Sequence, residues 1–424
     1  MINRDLAPTI TKLTTVNIPN SEIHTSHNGI KFHFLKGNGD FVRIDVHFYA
    51  GKAFQEQFLV SAFTNAMLRE GTKYHSSCEL AEKLDFYGAW LNAGASTEKA
   101  SLTLYSLQKF LPNTLEILEE IMKYPVFPEN EFLTLKKQKK QSYLLSQEKV
   151  EIISEQEFFK RVYGPKSKYS ATAVLNDYES IQREWIEEFY NHFYTVAPSD
   201  VFVMGNLSQE EVKKIEAIFE SYPPLKNVPK DSSLYHFSPQ LEEEIVIKKE
   251  NSVQAAINIG CQLFSRKHPD FHKFTLLNTV LGGYFGSRLM SNIREEKGYT
   301  YGIQSSVYTN LETGHIQIST QTANEYIDSV VAEIYKELKR LCEELIPKDE
   351  LDIVKNYMIG SMARTLDGDF SRAGFYISVN NYKMEIEEYV NTKLEVINNT
   401  TSEELKALAQ KYFEGKKMHQ VIVG

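Results

Sequence analysis

Two histidines lie four residues apart in the stretch HPDFH, residues 268–272. On a helix that spacing puts both rings on one face, where they can hold a single metal ion. Here Pro269 marks a helix start, which leaves His268 at the cap, and no glutamate lies between the pair to activate a bound water. The expectation is a capping residue and a surface histidine. His24 and His27, in the polar stretch SEIHTSHNG, have no nearby carboxylate pair and are expected in a loop. The cysteines, Cys78, Cys261 and Cys342, show no CxxC spacing, so they indicate neither a thiolate metal site nor a disulfide framework. Such sparse and odd cysteine use fits a reducing compartment, and the expected location is the cytoplasm.

The helix expected over about 56–70 supplies no donor atoms either. It runs apolar into Met67-Leu68 and stops at Gly71-Thr72. Phe58, Ala62 and Ala66 stack at i, i+4 and i+8, and Leu59, Phe63 and Met67 do the same beside them. That is the pattern of a purely apolar packing stripe. Alanine has no metal-binding atom, and the amide of Asn65 cannot act as a base.

The chain that must position these residues is long, 424 residues, and predicts two or more domains. Hydrophobic content of 42% and charged content of 24% are those of a globular protein. No run of uncharged apolar residues reaches the length of a membrane span, so no membrane partner is expected. The N-terminal stretch MINRDLAPTITKLTTVNIPN lacks an apolar central region and does not read as a secretory signal. A formal net charge of −9 argues against a nucleic-acid partner. The basic run KKQKK at 136–140 reads as the solvated face of a helix.

Two segments repeat at one offset. FPENEFLTLKK (127–137) matches IPKDELDIVKN (346–356), with Pro128, Glu131 and Lys136 falling on Pro347, Glu350 and Lys355, each 219 residues later. HFYTVAPSDVFVMG (192–205) matches KYFEGKKMHQVIVG (411–424) at the same 219, each an apolar strand before a glycine. The chain reads as a tandem duplication. The proline-rich stretch 223–240 reads as the linker between an N-terminal half, 1–222, and a C-terminal half, 241–424. In the first half IKFHFLK, FVRIDVHFYA, GAWLNAGAS and ASLTLYSL read as strands, with helices from Pro112 onward. In the second, EEIVIKKE, AAINIGCQL, YTYGIQSSVYT and GHIQISTQT do, with a helix before Gly282-Gly283 and long helices from about 325. The expected fold is α+β: two homologous halves, each an antiparallel sheet packed with helices, closing as a clamshell.

Over nearly its whole length the chain resembles the insulinase/pitrilysin family of zinc peptidases. AMLREGT (66–72), YGAWLNAGAST (87–97), FPENEF (127–132) and LGGYFGSRLMSNIREEKGYTYGI (281–303) carry the resemblance, in that order. The family's inverted zinc motif is His-x-x-Glu-His, two ligands on one helix face around a general base. Laid on this chain, the first ligand is Ala62, the base is Asn65 and the second ligand is Ala66. The distal glutamate ligand falls within KKQKKQSYLL, where Gln141 or Ser142 stands in place of an acidic pair. The resemblance implies no metal in this chain. It also implies a second motif, an arginine and a tyrosine seven residues apart near the substrate, matched by Arg294 and Tyr301. Their guanidinium and phenol can donate hydrogen bonds to substrate carbonyls, and Tyr301 to an oxyanion. Leu91, Asn92, Ala93, Gly94 and Ala95 fall on a strand edge that pairs with extended substrate in active relatives.

The first expectation is therefore a noncatalytic subunit of a paired-subunit zinc peptidase. Zinc and base would sit in a homologous partner, in a heterodimer or a homodimer, and this chain would complete the peptide-binding chamber. The rival expectation is a stand-alone pseudopeptidase, a peptide-binding or structural scaffold.

Overall fold

The structure, a computed structural model, describes residues 13–19, 21–224, 244–416 and 418–424. Most of the stretch read as a linker, 223–240, lies outside them. The chain forms two compact units: Pro19–Gly260 with Met418–Gly424, and Cys261–Lys417 with the described residues 13–18.

In the first unit the strands are β1 (Glu22–Thr25), β2 (Lys31–Lys36), β3 (Phe41–Phe48), β4 (Trp90–Ala95), β5 (Ala100–Leu107) and β6 (Asp200–Gly205). They form one sheet in the order β1-β2-β6-β3-β5-β4. The helices are α1 (Val60–Met67), α2 (Ser77–Phe86), α3 (Leu111–Lys123), α4 (Glu129–Ser146), α5 (Val150–Tyr163), α6 (Leu175–Ser180), α7 (Arg183–Phe193) and α8 (Gln209–Ala217). Phe32, Ile44, Val46, Leu102, Leu104, Val201 and Val203 cover the sheet's inner face and pack on Phe63, Met67, Leu115 and Ile186. Each such side chain contributes about 1.5–3 kcal/mol by leaving water. Capping boxes at Ser76–Glu79 and Ser208–Glu211 start α2 and α8 by satisfying their first free amides.

A second sheet contains β7 (Glu244–Ile247), β8 (Gln254–Leu263), β9 (Thr300–Thr309), β10 (Gly314–Ala323) and β11 (His419–Val423), in the order β7-β11-β8-β10-β9. The unit Cys261–Lys417 carries α9 (Phe271–Leu281), α10 (Ile327–Glu343), α11 (Lys348–Asp367), α12 (Asp369–Asn380), α13 (Ile386–Asn399) and α14 (Ser402–Phe413). Among the described residues no helix is long and apolar enough to cross a membrane.

The two sheets share one topology. β6 lies parallel to β2 and antiparallel to β3, and β11 lies parallel to β7 and antiparallel to β8. Each sheet is therefore mixed rather than purely antiparallel. The closing strand returns after a run of helices, so no hairpin forces it antiparallel to both neighbours. Pro128 and Pro347, 219 residues apart, stand at the N-caps of α4 and α11 in the same extended conformation. The fold is α+β with two homologous halves.

Candidate functional site

Helix α1 is shorter than expected, because Leu59 precedes it in a left-handed conformation, φ 74°. Its buried face is not purely apolar. Phe63 and Met67 are buried, but so are Ser61, Thr64 and Asn65, whereas Phe58 and Ala62 are exposed and Ala66 is half-buried. The buried polar groups are all bonded: Ser61 Oγ donates to Ala50 O at 2.6 Å and Thr64 Oγ1 to Val60 O at 2.8 Å. Asn65 Nδ2 donates to Tyr194 Oη at 3.2 Å and to Ser101 O at 3.5 Å. At the position the resemblance gives to a general base, the side chain is thus turned inward as a structural tie. Burial raises the Tyr194 phenol above its ordinary range, so it stays a neutral partner for that amide. The two alanines offer nothing to a metal. Gln141 and Ser142 lie exposed on α4. Zinc does not fit this donor set, and among the described residues no group of three His, Cys, Asp or Glu side chains could hold an ion.

Leu91–Ala95 lie on β4, the edge of the six-stranded sheet, hydrogen-bonded on one side to β5. Leu91 points into the core, Ala93 is half-buried, and Asn92, Gly94 and Ala95 are exposed. Arg69 Nη1 donates to Leu91 O at 3.3 Å. A Cβ on Gly94 would meet only Ser101 Oγ at 3.5 Å, an ordinary contact, so packing within the chain does not demand glycine there. The corresponding edge of the second sheet, β9, is occupied by its own chain. Ser305 N donates to Gly282 O at 3.0 Å, Asn278 Nδ2 to Ser305 O at 2.9 Å, and Ile303 N to Met290 Sδ at 3.4 Å. Gly282 is required for this approach, since a Cβ would stand 2.7 Å from both the Cβ and the N of Ser305.

Arg294 and Tyr301 are brought together. Arg294 lies in a π-helical turn, Met290–Glu296, a form that often marks functional sites. Tyr301 is the second residue of β9 and is 92% exposed. The guanidinium carbon sits 5.3 Å from the Tyr301 ring centroid and 4.8 Å from that of Phe285, itself 62% exposed. The cation therefore lies over two solvent-facing rings, with the phenol hydroxyl free of any partner among the described residues. Phe285 was not singled out from the sequence; an aromatic inside LGGYFGSRL was the available signal.

The histidines depart from expectation. His272 is buried within α9 rather than at the surface, because its ring packs edge-on to Tyr389 at 4.8 Å. His268 stands before the helix, whose N-cap is Asp270, and its Nδ1 accepts the Asp270 N–H at 3.1 Å. His24 lies in β1 between two carboxylates, Glu216 and Glu22, each at 2.8 Å, and both hydrogen bonds raise its pKa. His27 is in the turn that follows, as expected.

Comparison with known proteins agrees with this geometry. Residues 38–163 match the family model described as insulinase (peptidase family M16), and residues 180–358 match the one described as the peptidase M16 inactive domain. A Bacillus subtilis protein named as an uncharacterized zinc protease, YmxG, is 26% identical over 317 residues, 74% of this chain and 76% of its own. A Helicobacter pylori protein named as a non-peptidase homolog is 26% identical over 306 residues, 70% of this chain and 68% of its own. The crystal structure of a peptidase M16 inactive domain from Pseudomonas fluorescens shares the fold, with a TM-score of 0.85 at 22% identity over 96% of this chain and 98% of that one. The chain belongs to the insulinase family, peptidase family M16, as an inactive member in which the zinc-binding helix is reduced to its scaffold.

Proposed function

We propose that the chain is a noncatalytic subunit of a paired-subunit insulinase-type peptidase. A homologous partner bears zinc and the general base, while this chain completes the peptide-binding chamber and lends Arg294 and Tyr301 to the reaction. The display of Tyr301 carries the reading. A tyrosine kept for packing buries its ring, yet this one is 92% exposed with Arg294 stacked on it. Its hydroxyl is available to donate to an oxyanion, and the guanidinium to clamp a substrate carbonyl. Extended peptide would lie along β4, where backbone bonds accept many sequences and Gly94 admits a second backbone closely. The free cysteines and the net charge of −9 support a cytoplasmic protein without nucleic-acid partners.

A second reading has its own observation. Asn65 is bonded into the core and the buried polar groups of α1 are all satisfied within the chain, which suits an inert scaffold that binds peptide without turnover. Co-expression with a zinc-bearing homologue separates the two. The first reading predicts a stable complex, read by light scattering, whose peptidase activity exceeds that of the partner alone. A partner equally active by itself, or no complex at all, favours the scaffold.

A further inference from the structure

Three basic side chains meet in the unit Cys261–Lys417 without an acid. Arg266 lies in the turn after β8, His272 is the second residue of α9, and Lys393 lies on α13, which packs against α9. The Arg266 guanidinium carbon stands 4.7 Å from the ring centroid of Tyr382, 5.9 Å from Phe271 and 6.0 Å from Tyr389. Its Nη1 donates to Ser378 O and Oγ, both at 3.3 Å, while its Nε is buried with no partner. His272 Nδ1 is likewise buried with no partner. Lys393 is half-buried and makes no ion pair or hydrogen bond among the described residues.

These groups feel one another. Burial first, then Lys393 and Arg266, push His272 down to about 4, and burial and Arg266 lower the Lys393 ammonium. The acid beside them in sequence, Asp270, is committed to Lys411 Nζ at 2.6 Å and Tyr412 Oη at 2.8 Å. Cations withdrawn from water beside like charge are costly unless something compensates them. Unsatisfied buried donors in native folds call for an explanation, and an ion is one. The first turn of α9 adds the positive end of its dipole.

We propose that Arg266, His272 and Lys393 form a binding site for a small oxyanion, a phosphate or carboxylate group, with Tyr382 and Tyr389 as its aromatic walls. Arg266 Nε, His272 Nδ1 and Lys393 Nζ are the donors, and the anion supplies the missing countercharge.

The test is the melting temperature of the full chain titrated with inorganic phosphate and, in parallel, with acetate, at constant ionic strength in chloride. The expected result is a saturable rise in Tm, and the arm that saturates at lower concentration identifies the group. Lys393→Met should raise Tm in chloride, by relieving like-charge repulsion, and weaken the apparent anion affinity by about tenfold or more. In the unsubstituted protein, NMR titration should show the His272 pKa rising when the anion binds. Equal responses to chloride, phosphate and acetate overturn the site, as does a Lys393→Met response identical to the parent's. If the variant does not fold, a His272 titration unmoved by saturating phosphate and acetate overturns it alone.

Discussion

Lys136 and Lys355 make the same pair of bonds 219 residues apart. Lys136 Nζ donates to the carbonyls of Glu179 at 2.9 Å and Ile181 at 3.0 Å, and Lys355 Nζ to those of Asn398 at 3.2 Å and Thr400 at 2.8 Å. The acceptors are themselves displaced by 219. The duplication has thus kept a charge-assisted clamp between the long helix after each proline and the segment leading into the next helix. Lys136→Met and Lys355→Met should each lower stability by about 1.5–3 kcal/mol, the range for hydrogen bonds that involve a charged group. Urea denaturation of each variant, and of the double variant for additivity, checks this.

Gly282 lets α9 end against β9. Gly282→Ala should cost about 1–3 kcal/mol, the usual penalty of forcing atoms into a packed site, since its Cβ would meet Ser305 at 2.7 Å. Gly94→Ala, with only a 3.5 Å contact to Ser101 Oγ, should be near neutral for stability. Equal losses in the two variants would contradict the contrast between the sheet edges.

Stability should fall in acid through His47. Burial first, then Lys99, hold its pKa at about 4 against an ordinary 6.5. The folded state therefore binds fewer protons than the unfolded state between those values. The stabilisation is complete above about pH 6.5 and is lost progressively down to about pH 4, on the order of 3 kcal/mol in all. His47→Leu should flatten that decline in denaturation curves recorded at pH 7 and pH 5.

Much of this was legible in the sequence, and the misses have physical causes. Period-two patterns located β2 to β5 and β7 to β10, and the 219 offset gave the duplication. Helical spacing grouped Phe58, Ala62 and Ala66 as a packing stripe, but Phe58 lies before the helix and Ala62 faces solvent. Small alanines fit either environment, and Phe58 stays outside because Leu59 breaks the helix before it. His272 is buried against the surface expectation because its ring packs on Tyr389, 117 residues away. The carboxylate Glu216 at His24 is equally remote in sequence. The π-helical turn under Arg294 leaves no periodic trace of its own.

Ala62, Asn65 and Ala66 predict that the isolated chain retains no stoichiometric zinc after dialysis against trace metal. About one tightly held zinc per chain, the occupancy of a catalytic site, would contradict that. The double variant Ala62→His with Ala66→His, on the accessible face of α1, should gain a zinc-dependent rise in Tm that the parent lacks.

The most direct test of the central claim is kcat for Tyr301→Phe in a purified, fully assembled complex with a zinc-bearing partner, with Tm recorded alongside. If Tyr301 donates to the developing oxyanion, assembly and Tm stay unchanged while kcat falls by about 10²–10³, or ~3–4 kcal/mol. Arg294→Ala should also slow turnover, with a larger share in substrate binding if the guanidinium clamps the peptide. An unchanged kcat for Tyr301→Phe in the intact complex would contradict the subunit reading and leave the chain a scaffold.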